Sequence, residues 1–157
     1  MSIGPRIALL RFASRDAPSL EPWQEHCRRV IGGPPPTYGL PTDAAVPSIV
    51  VWQLLSLNNR ILGRSALLYP GVADAEERVE RLVAATGRIE THLVGNQTRS
   101  LFGWYASIAG VPVMTASRWY VTERDRRNSL ELAVRSLAVA TVQRGARAVR
   151  TERGGRR

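Results

Sequence analysis

Alternating apolar and polar positions predict two β-hairpins in the part of the chain after residue 47. Side chains alternate along each predicted strand, which is typical of a strand with one buried face. Asn58-Asn59 and Ala109-Gly110 separate the paired strands, and these residues suit the positive φ angles of tight turns. The four predicted strands are Trp52–Leu57, Arg60–Ala66, Phe102–Ile108 and Val111–Ser117.

A helix and a further strand follow each predicted hairpin. Apolar residues recur at helical spacing near 75–86 and near 126–143, so we expect an amphipathic helix in each place. Alternating segments then follow at Arg88–Val94 and Ala146–Thr151. Between the first hairpin and its helix, Leu67–Tyr69 is either a separate third strand or a continuation of the second.

Polar residues and glycines indicate where the two helices begin and end. The capping candidates are Asp74 with Glu77 for the first helix and Asp125 or Asn128 for the second. Gly87 and Gly145 stand just past the helices, where chains commonly turn left-handed. Both helices are therefore bounded by signals of the same kind.

The two series of elements correspond at a constant separation of 51 residues. The same residue type occupies Ser56/Ser107, Tyr69/Tyr120, Asp74/Asp125, Glu80/Glu131 and Val83/Val134. We interpret this as two tandem β-β-β-α-β units. One unit has too little core to be stable alone, so we expect the two to pair into one α+β body with pseudo-twofold symmetry.

The tandem pattern resembles the YegP-like family, small bacterial and archaeal proteins of unassigned biochemical function. The resemblance covers roughly residues 48–152. It is carried by W-x-L-x-S-L-N-N and S-x-x-x-Y in the first unit, and by F-G-W-Y-A-S-I-A-G and S-R-W-Y in the second. The resemblance implies that the units share one antiparallel sheet, exchange their last strands and place both helices on one face. It brings no catalytic residues with it.

The first 46 residues differ from the remainder and are expected to form an accessory segment. Ile7–Phe12 is a candidate strand, a helix is predicted near 22–31, and a proline-rich connector follows. His26 beside Cys27 suggests a metal site, but zinc needs about four ligands, and we expect both side chains to pack on an apolar helix face. The expected division is an N-terminal segment at 1–46, a repeat domain at 47–152 with units 47–95 and 100–152, and a basic tail at 153–157.

Alternation along the strands separates an apolar face from a face with aromatic and polar residues. We expect the helices to cover the apolar set, which comprises Val51, Gln53, Leu55, Leu57, Phe102, Trp104, Ala106 and Ile108. Trp52 and Tyr105 then lie on the other face, with Arg118 nearby. Such an open face is a stacking platform for single-stranded nucleic acid. Alternatively, the N-terminal segment or a second copy of the protein covers it.

The basic residues are all arginine and are concentrated near the C-terminus. Residues 117–157 carry 11 Arg against 4 acidic residues and so supply +7 of the net charge of +9. Clustered arginine is expected of a protein that contacts a phosphate backbone, although a solvated tail of biased composition also explains it. The arginines concerned are Arg144, Arg147, Arg150, Arg153, Arg156 and Arg157.

The sequence lacks the motifs of common enzyme classes, and we expect no catalytic activity, metal or cofactor. A nucleophile elbow, a P-loop and the H-E-x-x-H zinc motif are all absent. No apolar run approaches the ~20 residues that span a bilayer, and the single Cys27 favours a cytoplasmic location. We therefore predict a small non-enzymatic protein associated with RNA, DNA or the ribosome. The alternative is an interaction module that forms a homodimer or binds a partner protein.

Overall fold

The computed structural model describes residues 4–14, 16–33, 48–96 and 98–149, which form a seven-stranded sheet with helices on both faces. The strands are β1 (Arg6–Phe12), β2 (Ile49–Leu55), β3 (Ile61–Ser65), β4 (Glu90–Asn96), β5 (Leu101–Ile108), β6 (Val111–Thr115) and β7 (Thr141–Ala148). The helices are α1 (Glu21–Ile31), α2 (Val72–Ala84) and α3 (Glu123–Leu137). The α+β class expected from the sequence is confirmed.

The sheet is mixed, so the expectation of an antiparallel sheet was wrong at one strand pair. Its strand order is β4-β5-β6-β3-β2-β1-β7. Neighbouring strands are antiparallel except β1 and β7, which are parallel. The reason is that β1, from the N-terminal segment, lies between β2 and β7. The predicted division into domains stays a prediction.

Both predicted hairpins are present, and each is followed by a helix and a strand. The hairpins are β2–β3 and β5–β6, and Asn59 and Ala109 at their turns have φ of 66° and 51°. A few residues beyond each hairpin, Tyr69 and Tyr120 form isolated bridges with Val50 and Phe102 rather than a third strand. The exchange of last strands is found for β4, which pairs with β5, but β7 pairs with β1 rather than β2.

The helix ends differ from those that the sequence predicted. Thr122 caps α3 by accepting a hydrogen bond from the Asp125 N–H, so neither Asp125 nor Asn128 is the cap. Asp74 does not cap α2 but pairs with Arg78 one turn later. Helix α3 ends at Leu137 rather than near 143, because a short turn over residues 138–140 leads into the edge strand β7. Gly145, which was expected just past this helix, lies within β7 instead.

The main core lies between the sheet and the helices α2 and α3. Its strand residues include Val50, Trp52 and Leu54 from β2 and Trp104 and Ala106 from β5. The predicted face was therefore right for β5 and wrong for β2. Strands β2 and β5 correspond at a separation of 52 residues rather than 51, because Trp52 and Trp104 occupy equivalent core positions. A shift of one residue along a strand moves every side chain to the opposite face.

A smaller core lies on the other face of the sheet, which we call the outer face, beneath α1. Trp23 and Cys27 of α1 pack there against strand residues that include Leu10, Phe12 and Val51. This burial explains the apolar stripe of α1, which the sequence revealed without indicating what the stripe covers. The helix leaves the part of the outer face near Gln53 and Leu55 only partly buried.

Candidate functional site

The predicted aromatic platform does not form, because Trp52 belongs to the main core. Its side chain is 0% exposed, and its indole Nε1 donates a hydrogen bond of 3.3 Å to the Tyr69 hydroxyl. A ring in this position cannot stack on a nucleotide base. The assignment of Trp52 to an open face was therefore wrong.

Tyr105 does lie on the outer face, where it is half-buried and stacked on a neighbouring ring. The centroids of the Tyr105 and His92 rings are 4.4 Å apart, and the ring planes differ by 11°. His92 Nε2 is also hydrogen-bonded to Ser107 Oγ at 2.8 Å. One face of the Tyr105 ring is thus already occupied by a protein side chain.

Helix α1 covers the adjoining part of the outer face through several polar contacts. Trp23 Nε1 donates to the Ser65 carbonyl at 3.2 Å, and His26 Nε2 donates to the Ala116 carbonyl at 2.6 Å. The Arg64 guanidinium lies over the Trp23 ring, 5.2 Å from its centroid. These contacts fix α1 on the sheet, as the covered-face alternative expected.

Burial shifts the pKa values of three groups where α1 packs on the sheet. Desolvation raises the pKa of the Cys27 thiol to about 11, so at neutral pH the thiol is protonated and a poor nucleophile. Desolvation lowers the pKa values of His26 and Arg64. Among the described residues, no three His, Cys, Asp or Glu side chains are placed to hold a metal ion.

The predicted arginine cluster is only partly described, and one of its members is committed to an internal contact. Arg144 pairs with Glu80 at 2.9 Å and with Glu76 at 3.6 Å, both on α2. Arg147 is exposed on β7, opposite Leu10 of β1. Arg150, Arg153, Arg156 and Arg157 lie outside the described residues.

An open groove crosses the outer face from β7 through β1 and β2 to the start of β3. Its volume is about 990 Å³, and its charged lining residues are Arg6, Arg144 and Arg147. Leu10 and Leu55 belong to its apolar lining, and no acidic residue is among the described residues that line it. We call this surface the basic groove.

Arg6 and Arg147 lie at different ends of the basic groove. Arg6 is opposite Leu55, and Arg147 is opposite Leu10, four residues further along β1. At ~3.3 Å per residue, the two positions are about 13 Å apart along the strand. Arg6 donates hydrogen bonds to the Ser56 carbonyl at 3.3 Å and to Asn59 Oδ1. Both acceptors are neutral, and no acidic side chain in the described part of the chain pairs with Arg6.

Arg118 is not among the residues that line the basic groove. Its guanidinium stands over the Tyr120 ring, 5.2 Å from the centroid, beside the N-terminal turn of α3. The structure therefore does not bring Arg118, Tyr105 and Arg147 into one site. The sequence did not identify Arg6 as a site residue, and its only signal was its position just before the predicted strand Ile7–Phe12.

Comparisons with known proteins support the fold alone. No protein-family model matches the sequence, and no curated protein matches it. The structure is similar to the solution NMR structure of YegP from E. coli, a protein of unknown function, with a TM-score of 0.51 and 13% sequence identity. The match covers 93% of this chain and 97% of that chain. No helix in the described part of this chain is long and apolar enough to cross a membrane.

Proposed function

We propose that this chain is a non-enzymatic cytoplasmic protein that binds the phosphate backbone of RNA or DNA, free or within the ribosome. The binding surface is the basic groove together with the Arg-rich C-terminal segment. The observation that carries the proposal is a groove with three arginines and no acid among its described lining residues. Uncompensated positive charge in a concave surface attracts polyanions.

Two of the three arginines are available to a ligand. Arg147 is exposed and has no ion pair within the described part of the chain. Among the same residues, the hydrogen bonds of Arg6 go to neutral oxygens. Arg144 contributes less, because Glu76 and Glu80 balance its charge. The chain then continues from β7 into the segment that holds Arg150, Arg153, Arg156 and Arg157. The proposal thus rests on charge rather than on base stacking.

We also infer that the two hairpin–helix–strand units are tandem repeats that form a pseudo-twofold pair. The register of each hairpin shifts at one place, between Leu54 and Leu55 in the first and between Ala106 and Ser107 in the second. These positions are 52 residues apart in the sequence. Since the basic groove includes β1, which neither unit supplies, it has no counterpart across the pseudo-twofold axis.

A salt titration of binding tests the proposed function. Fluorescence anisotropy would measure the affinity of the full chain for a labelled single strand and a labelled duplex over a series of salt concentrations. We expect the logarithm of the affinity to fall linearly with the logarithm of the salt concentration, with a slope of roughly −0.7 to −0.9 per phosphate contact. Arg147→Gln should remove one phosphate contact and so reduce the magnitude of this slope by roughly 0.7 to 0.9.

The matched control is Arg135→Gln, which removes the same charge from the exposed side of α3, on the other face of the sheet. It should leave the slope nearly unchanged. Equal effects of the two variants would mean that binding follows overall charge and not the basic groove. Absence of binding at low salt would refute the proposed function.

Self-association is the second candidate function, and the edge of the sheet favours it. Strand β4 pairs with β5 and has no neighbour on its other side among the described strands. Leu93 on this strand is 59% exposed. An unpaired edge with exposed apolar residues is a template for pairing with a second copy. Sedimentation should then show a dimer that persists at high salt and is lost in Leu93→Lys.

A further inference from the structure

Two pockets lie at corresponding places in the fold, each between the hairpin of one unit and the helix of the other. The polar pocket, of about 320 Å³, lies between the β2–β3 hairpin and α3. The apolar pocket, of about 310 Å³, lies between the β5–β6 hairpin and α2. Their lining positions correspond at a separation of 51 residues, as in Arg60/Val111, Leu67/Arg118 and Tyr69/Tyr120.

The polar side chains around the apolar pocket are paired with each other. Arg78 Nε lies 2.9 and 3.0 Å from the two carboxylate oxygens of Asp74. Arg81 pairs with Glu77 at 2.8 Å. The Tyr69 hydroxyl accepts the hydrogen bond from the indole of the core tryptophan. This pocket therefore presents mainly aliphatic surface.

The acceptors of the polar pocket lack the partners that their counterparts have. Ser129 and Leu132 stand where the apolar pocket has its two helix arginines, so Asp125 and Asn128 face no cation from α3. Within the described residues, neither side chain forms an ion pair or hydrogen bond. The Tyr120 hydroxyl is likewise unbonded there, because Trp104 Nε1 donates instead to Ser129 Oγ at 3.0 Å.

Two arginines enter the polar pocket where the apolar pocket has aliphatic residues. Arg60 takes the place of Val111, and Arg118 takes the place of Leu67. Neither guanidinium has an acidic partner among the described residues. Arg118 is held over the ring of Tyr120. The pocket thus combines two exposed arginines that form no ion pair with an exposed carboxylate and an exposed amide. Neither of these acceptors has a partner among the described residues.

We propose that the polar pocket binds a small molecule that carries an oxyanion at one end and an amine at the other. The guanidinium groups of Arg60 and Arg118 donate to the oxyanion, since such charge-assisted hydrogen bonds are the strong ones. The side chains of Asp125 and Asn128 accept from the amine. The volume lies within the range of small-molecule sites. This site shares the lining residue Ile61 with the basic groove but none of the groove's arginines. The proposal does not depend on nucleic-acid binding.

Phosphoethanolamine, which carries a phosphate and an amine, is the probe that tests this site. Two-dimensional ¹H–¹⁵N NMR of the full chain would follow the amide signals of Tyr120 and Ser129 during titration to about 10 mM, a range that covers weak small-ligand binding. We expect saturable shifts at these residues and none at their counterparts in the apolar pocket. Inorganic phosphate and ethanolamine, titrated separately, should bind at least about tenfold more weakly.

Substituting residues of the polar pocket by their counterparts from the apolar pocket tests which side chains bind phosphoethanolamine. Arg118→Leu and Arg60→Val should each weaken phosphoethanolamine binding roughly tenfold, since a hydrogen bond to a charged group is lost. Arg135→Leu on α3 is the control and should have no effect. Asp125→Ala should weaken phosphoethanolamine binding and strengthen inorganic phosphate binding, because a like charge leaves the pocket.

Three results would overturn the proposal. The first is the absence of saturable shifts at Tyr120 and Ser129. The second is equal affinity for phosphoethanolamine and inorganic phosphate, which would exclude a role for Asp125 in binding an amine. The third is an equal loss of binding in Arg118→Leu and Arg135→Leu, which would show that phosphoethanolamine binding depends on overall charge and not on the polar pocket. The salt-dependent binding of nucleic acid would be unaffected by any of these outcomes.

Discussion

The backbone N–H of Gly145 donates a 2.6 Å hydrogen bond to Glu76 Oε2 and so connects the edge strand β7 to α2. Gly145 has a φ of 79° and lies where the register between β1 and β7 shifts. This local distortion is a bulge that turns the backbone N–H toward the helix. The neighbouring Arg144 pairs with the same carboxylate. One glutamate therefore orients the bulge and balances part of the charge of an arginine that lines the basic groove.

Replacing Gly145 by alanine should destabilise the protein through its backbone conformation alone. A Cβ at this position would meet open space, so no steric clash contributes. A positive φ costs an L-residue about 1–2 kcal/mol relative to glycine. We expect Gly145→Ala to lower the free energy of unfolding by that amount in urea denaturation. Gly87→Ala, where space is also open and φ is not positive, should cost less than about 0.5 kcal/mol.

Truncating Leu137 should show that the end of α3 belongs to the main core. Leu137 is 0% exposed and packs with the sheet. We expect Leu137→Ala to lower the free energy of unfolding by ~2–5 kcal/mol, the range for a buried leucine. Val139→Ala, two residues later and 69% exposed, should change it by less than about 0.5 kcal/mol. Similar values for the two variants would contradict the position of the helix end.

The thiol of Cys27 should make stability depend on alkaline pH. Burial raises its pKa in the folded state to about 11, above its ordinary value of 9.0. The unfolded chain therefore loses this proton first, and the contribution to stability is full below pH ~9 and is lost as the pH rises through ~11. We expect the difference in unfolding free energy between the wild type and Cys27→Ala to fall by about 2 kcal/mol over this interval. A constant difference between the two proteins would show that the thiol is not desolvated.

Removing the last five residues should weaken nucleic-acid binding without affecting the fold. Deletion of 153–157 removes Arg153, Arg156 and Arg157, while the last described strand already ends at Ala148. We expect an unchanged thermal unfolding curve. The salt dependence of binding should correspond to as many as about three fewer phosphate contacts. Replacing the three arginines by lysine should retain much of the binding, since backbone contacts need charge more than geometry. Equal binding by the truncated and intact chains would exclude the tail from the interface.

The sequence by itself determined the local elements, because these depend on neighbours along the chain. Period-two alternation located both hairpins, and helical spacing located all three helices to within a few residues except at the end of α3. The stop of that helix was missed, since the apolar positions beyond Leu137 suit a strand edge as well as a helix face. The residue type at Asn59 also anticipated the positive φ of the first turn.

Only the tertiary structure decided which faces and strands meet. Trp52 was assigned to the wrong face because a shift of one residue in a strand inverts all its side chains. The place of β1 between β2 and β7 depends on the pairing of β1 with β7, which are separated by most of the length of the chain. A local sequence pattern does not predict such a pairing. The basic groove has the same origin: Arg6 and Arg147 come from opposite ends of the sequence, and only the parallel pairing of β1 with β7 brings them to one surface.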